Sequence, residues 1–225
     1  MRKYLIVGLG VFGRELALNL IEKGVEVVVI DRKMELIEEI QDKVTYAIKL
    51  DATDEHALSS IGAEEIDVAV VCIGENFESN LLAAVSLKKL GVKKVVARST
   101  NEVHQRILKA VGVDLIISPD IEAAERLSYR LIHQGLLDIT FIGGDTVAAK
   151  ITAPPDFIGK TPLELQLRAR FGVNLIAIHT PQPEKEGRQL PLLVNNNPDA
   201  NSIIREGDIL VVIGRNRELQ KLTRR

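Results

Sequence analysis

Tryptophan is absent from this 225-residue chain, and aromatic residues make up only 4% of it, so a stacking platform for nucleic-acid bases is not expected. Cysteine occurs once, at Cys72, which excludes an internal disulfide framework and any multi-cysteine zinc site and fits a reducing cytoplasm. Neither sign of charge prevails: 29 Lys and Arg against 31 Asp and Glu give a formal net charge of −2, which argues against a chain built to grip a phosphate backbone. No apolar run approaches the roughly 18 residues of a membrane helix. The opening MRKYLIVGLG is basic, but glycines break its apolar stretch and Arg14 and Glu15 follow, so no signal peptide is expected. Catalytic signatures are missing as well: there is no HExxH, GxSxG or GxxxxGK[ST]. His56, His104, His133 and His179 stand in no recognisable catalytic pairing, and Cys72 falls within a buried apolar run. Binding without chemistry is the expectation.

What is present is rhythm. Short apolar runs at Tyr4 to Val7, Val25 to Ile30, Thr45 to Leu50, Val68 to Ile73, Lys94 to Ala97 and Leu115 to Ile117 are spaced as strands, several continuously apolar as in a sheet covered on both faces. Helices are predicted near 12–23, 34–42, 54–61, 76–90 and 101–111. Gly24, Gly91 and Gly112 stand just past three of them, and Thr53 and Asn101 sit at helix starts as caps. Repeated βα units predict an α/β, doubly wound parallel sheet over about residues 1–135. A further helix over 120–134 opens near Pro119 and stops at Gly135. Beyond 136 the rhythm changes to strands at Asp138 to Ile142, Thr146 to Thr152, Asn174 to His179 and Ile209 to Ile213, with a helix near 161–170 behind Thr161-Pro162: a small α+β unit over 136–225. Residues 181–202 read as a long irregular loop with a weak apolar run at Leu190 to Val194.

Gly8-Leu9-Gly10-Val11-Phe12-Gly13 fits GxGxxG between a strand and a helix. The first glycine permits the tight turn, the second lets the backbone approach a pyrophosphate, and the third lets helix and strand pack closely. The helix N-terminus then offers N–H donors and a positive partial charge. Asp31, ending the second strand 21 residues after Gly10, suits a ribose hydroxyl and repels a 2′-phosphate, which favours NAD or a plain adenine nucleotide over NADP. Arg32 follows it. Asp51-Ala52-Thr53 after the third strand, Gly74-Glu75-Asn76 after the fourth and Arg98 closing the fifth point into the same crevice. The candidate cofactor-binding set is therefore Gly8, Gly10, Val11, Phe12, Gly13, Asp31, Arg32, Asp51, Ala52, Thr53, Ile73, Gly74, Glu75 and Arg98.

MRKYLIVGLGVFGRELA, Asp31, KLDATD, VAVVCIGENFESN, KKVVARSTN and LIISPD together resemble the N-terminal part of RCK domains, the regulators of potassium channels and transporters that include the TrkA and KtrA subunits. Asp145 to Ala148, Phe157 to Thr161, Leu167 to Val173 and Arg205 to Gly214 resemble their C-terminal, TrkA-C part. The resemblance implies a non-enzymatic gating subunit that binds ADP, ATP, AMP or NAD(H). It would form homodimers assembling into an octameric ring beneath a membrane potassium-translocating partner of TrkH or KtrB type, at the inner face of the membrane. It also implies that Val11 stands where KtrA-type members carry a phosphate-binding arginine, that Asp120 matches the place of a divalent-cation ligand in some members, and that Leu167 to Ile178 matches a cyclic di-AMP site in others. Residues 181–202 are longer than the family's usage. The competing readings are an NAD-dependent oxidoreductase and a regulator of another cation or anion transporter.

Overall fold

The computed structural model describes residues 2–182 and 191–223. The chain divides into two compact units, Met1–Ile121 and Glu122–Arg225.

The first unit alternates β1 (Lys3–Val7), α1 (Val11–Glu22), β2 (Glu26–Asp31), α2 (Met34–Glu38), β3 (Tyr46–Lys49), α3 (Glu55–Ser60), β4 (Val68–Val71), α4 (Phe77–Lys89), β5 (Lys94–Arg98), α5 (Glu102–Ala110) and β6 (Leu115–Ile117). All strand pairs in it are parallel, in the order β3-β2-β1-β4-β5-β6. Strand side chains alternate between faces, and here both faces are buried. Leu5, Val7, Val28, Ile30, Ala69 and Val71 pack on one side with Ala83, Ala84 and Leu87 of α4. Ile6, Val27, Val29, Val70 and Cys72 pack on the other with Leu9 and Ala17. That double burial is why the strands are apolar without a polar alternation. Strand order reverses between β1 and β4, and the crevice outside their carboxyl ends is where such sheets take ligands.

Gly24, Gly91 and Gly112 follow their helices at φ 76°, 83° and 83°, as expected. Asn101 caps α5 by accepting from the His104 N–H. Thr53 does not cap α3: the helix begins at Glu55, so the cap position falls to Asp54, which accepts from His56 and Ala57, while Thr53 donates its N–H and hydroxyl to Asp51. The expected helix over 34–42 is α2 followed by a separate 3₁₀ turn, Gln41–Lys43.

The division between units falls in the first turn of α6 (Pro119–Ile132), which ends two residues before the expected 134. The second unit then comprises β7 (Leu136–Gly143), β8 (Thr146–Thr152), α7 (Pro162–Leu165), α8 (Leu167–Phe171), β9 (Val173–Thr180), β10 (Leu193–Asn195), β11 (Ile209–Arg215) and α9 (Asn216–Thr223). Its strands pair antiparallel in the order β10-β9-β11-β8-β7 over a core that includes Ile139, Ile151, Phe157, Leu165, Phe171, Leu210 and Leu219. The single helix expected over 161–170 is two, since Gln166 takes a left-handed φ of 47° between α7 and α8. Helix α9 was not foreseen; its sole apolar residues, Leu219 and Leu222, are both buried, a spacing too sparse to stand out. The described part of the 181–202 segment contributes β10, while 183–190 lie outside the described residues.

Candidate functional site: the crevice at the β1 and β4 ends

Strand β1 stops at Val7 and the backbone turns at Gly8, whose N–H donates to Ile30 O (2.9 Å) and whose φ of 93° only glycine adopts readily. A Cβ on Gly8 would meet Ile73 Cγ1 at 3.2 Å and Ile73 N at 3.3 Å, so the loop lies directly against the end of β4. On Gly13 a Cβ would stand 2.0 Å from Gly8 O and 3.1 Å from Cys72 Cβ, which is the close helix–strand packing that the third glycine permits. Gly10 differs. A Cβ there would meet nothing within 4 Å, and Gly10 is the N-cap of the 12-residue helix α1, with no capping side chain and no acid in its first turn. The first N–H groups of α1 are thus left to whatever enters the open space. Val11 follows, an apolar side chain 85% exposed, and Phe12 packs partly into the core.

Asp31 is tied to this loop. Its Oδ2 accepts from Leu9 N–H at 2.7 Å and its Oδ1 from Lys33 N–H at 2.9 Å, so the carboxylate braces the glycine turn as well as facing the crevice. Each oxygen keeps a lone pair for an incoming hydroxyl. At the β3 end, Asp51 accepts from the Thr53 N–H and hydroxyl and lies 3.9 Å from Arg32. Those hydrogen bonds from Thr53, with a smaller contribution from Arg32, hold its carboxyl below the usual range despite slight burial. Ala52 between them is buried in the core.

At the β4 and β5 ends, Gly74 carries the Arg98 guanidinium against its backbone: a Cβ on Gly74 would be 2.8 Å from Arg98 Nη1. Arg98 also pairs with Asp120 in the first turn of α6. That pairing, with a cation as nearest neighbour and no group of three His, Cys, Asp or Glu among the described residues, does not fit Asp120 to a dedicated divalent-cation site. Glu75 stands exposed.

Two side-chain roles here were not read from the sequence. Asn76, which the sequence places in the crevice loop, also caps α4 by accepting from the Ser79 N–H, a role asparagine favours at a helix start. Asn80, 1% exposed, donates both amide hydrogens across the strand ends, to Ile73 O (2.7 Å) and Arg98 O (3.2 Å). It closes the VAVVCIGENFESN stretch, but no residue pattern announces its role, because its partners are main-chain atoms 7 and 18 residues away.

Burial pushes the Cys72 thiol up to about 12, so it stays protonated and acts as an apolar packing residue. His104 stacks flat on Phe77, ring centroids 3.6 Å apart. In the second unit, the segment Leu167 to Ile178 sends Leu167, Phe171, Val173, Ala177 and Ile178 into the core.

An open helix N-terminus behind a glycine turn, an acid at the end of β2 and a strand-order reversal beside them define a Rossmann-like protein with a crevice at the place where such sheets take ligands. The TrkA-N domain family matches residues 4–119 and the TrkA-C domain family residues 146–225, and the chain belongs to this RCK family. It is 30% identical over 224 residues to Ktr system potassium uptake protein C of Bacillus subtilis, covering 100% of this chain and 97% of that one. Identity to the Ktr system potassium uptake protein A of the same organism is 26% over 220 residues, covering 98% and 95%. Among solved structures, the GsuK RCK domain superposes with a TM-score of 0.67 at 19% identity, over 99% of this chain and 47% of that one, which shows the shared fold. A GsuK structure bound to ADP matches with a TM-score of 0.51 at 25% identity, over 58% of this chain and 34% of that one. This chain thus spans less than half of those GsuK chains. No helix among the described residues is long and apolar enough to cross a membrane.

Proposed function

We propose that this chain is the non-enzymatic, nucleotide-binding regulatory subunit of a potassium uptake system. It binds an adenine nucleotide or NAD(H) in the crevice and couples that binding to opening of a separate membrane subunit of TrkH or KtrB type. Residues 1–135 carry the ligand and 136–225 the regulatory role, with homodimers built into a ring at the inner face of the membrane. The carrying observation is Gly10: open space at the head of an uncapped helix, between two glycines that are sterically locked. The full-length likeness to Ktr potassium uptake proteins supplies the transport context. Asp31 takes the ribose, and Arg98 is the cation beside the ligand. Val11 offers no charge to a terminal phosphate, so the reading favours ADP, AMP or NAD(H) over ATP. The exposed stripe Leu127, Leu131 and Ile132 on α6 leaves a surface for a second copy. A ligand moves such an assembly by binding one arrangement more tightly than another.

Thermal unfolding with ADP, ATP, NAD and NADH in turn tests the reading. At about 100 times its Kd a ligand adds roughly 2.7 kcal/mol, a rise on the order of 5–10 °C for a chain of this size. The rise is expected to vanish in Gly10→Asp and Asp31→Ala, and the nucleotide is expected to be recovered unchanged. Stability indifferent to all four ligands refutes the proposal; turnover of NADH points to an oxidoreductase instead.

A further inference from the structure

We infer that Asn80 is the positioning residue of the nucleotide crevice: its amide fixes the β4 and β5 ends, and through them the backbone beside the glycine turn and the cation beside Gly74. The inference rests on the nucleotide reading of that crevice. Strands β4 and β5 are hydrogen-bonded neighbours as far as Val71 and Ala97. Beyond those residues the two chains diverge, one into the Ile73-Gly74 turn and the other into Arg98 and Ser99. Asn80 spans this opening from inside α4, almost wholly buried, with Nδ2 2.7 Å from Ile73 O and 3.2 Å from Arg98 O. Chemistry fixes the amide's orientation: two carbonyl acceptors demand the NH₂ end, since an oxygen facing them would repel both. The cost of that orientation is visible, because the buried Oδ1 is left without a hydrogen-bond partner. A side chain selected only to fill this volume would not need to strand an acceptor in the core.

What the two bonds hold is the crevice wall. Ile73 is the residue against which Gly8 closes, its N 3.3 Å and its Cγ1 3.2 Å from where a Gly8 Cβ would stand. Arg98 carries the guanidinium that lies on Gly74. Both clamped carbonyls thus belong to residues that shape the space in front of β1 and β4. Ligand sites lose binding strength when their groups shift by a few tenths of an ångström, so a clamp on the backbone acts on affinity without touching the ligand.

The test is calorimetric titration of the full chain with ADP and with NAD, alongside its denaturant unfolding. Asn80→Asp keeps the shape and breaks the two-donor clamp, since an ionised carboxylate donates nothing and a protonated one a single hydrogen; Asn80→Ala removes both donors with less volume, should the first variant fail to fold. Leu87→Ala, in the same helix and the same core, serves as the control for plain loss of stability. The expected result is a loss of about tenfold or more in affinity for N80D or N80A. L87A, destabilised at least as much, is expected to bind within about threefold of the wild type. Equal affinities in wild type and both Asn80 variants overturn the inference and leave the nucleotide reading standing, as does an equal loss in L87A. A wild-type chain that binds neither ligand overturns both.

Discussion

Three glycines in one loop have three different jobs, and substitution separates them. Gly13→Ala drives a methyl to 2.0 Å from a carbonyl oxygen and is expected to destabilise the protein by about 3 kcal/mol or more, read by denaturant unfolding. Gly10→Ala meets no atom and its φ of −60° suits alanine, so stability is expected to stay within about 0.5 kcal/mol. The same Gly10 variant is expected to lose about tenfold in nucleotide affinity by titration, since its methyl enters the space reserved for phosphate. The GxGxxG spacing and Asp31 were legible as a motif because their roles depend on residues close in sequence or at a fixed interval. That Asp31 also accepts from Leu9 N–H was not legible, and neither was Asn80. Both serve main-chain groups, which have no residue-type signature.

Elements were legible in proportion to how strongly they are packed. Each strand of the parallel sheet announced itself by an apolar run, and cap residues marked α5 and the Thr161-Pro162 start of α7, whose capping box with Glu164 is complete. Breaks were less legible. Gln166 interrupts the helix pattern of 161–170 with a left-handed conformation that glutamine tolerates poorly. Gln166→Gly is therefore expected to raise stability by about 1 kcal/mol, measured as a higher midpoint of denaturant unfolding. A loss of stability there means that the Gln166 side chain makes contacts worth more than the strain. Helix α9 escaped for the opposite reason: two buried leucines on an otherwise polar octet leave too little periodicity.

Among the described residues the cores are separate, two against the faces of the parallel sheet and one in the second unit. Hydrogen exchange with saturating ADP is expected to slow amides over residues 7–14, 31–33 and 72–80 by up to about 100-fold at 100 times Kd. Amides of β8, β9 and β11 are expected to change far less, because their protection depends on a core that the ligand does not touch. Slowing centred on the second unit places the ligand there instead. Helix α6 joins the units, and its apolar residues Leu127, Leu131 and Ile132 remain exposed rather than packed on a sheet of their own chain.

Local chemistry settled in advance the strands of the parallel sheet and four of the second unit's five, where the glycine turn lies and that the fold is α/β followed by α+β, while β10 was read as loop. Hydrophobic periodicity, turn residues and caps act over a few positions, and a linear pattern records them. Only the tertiary structure decided which strand ends meet, that the Arg98 guanidinium lies on Gly74 and pairs with Asp120, that Asp54 rather than Thr53 caps α3, and that one buried amide spans β4 and β5. Those outcomes depend on distances between atoms remote in sequence, which strand order and helix packing set after the local preferences have been met.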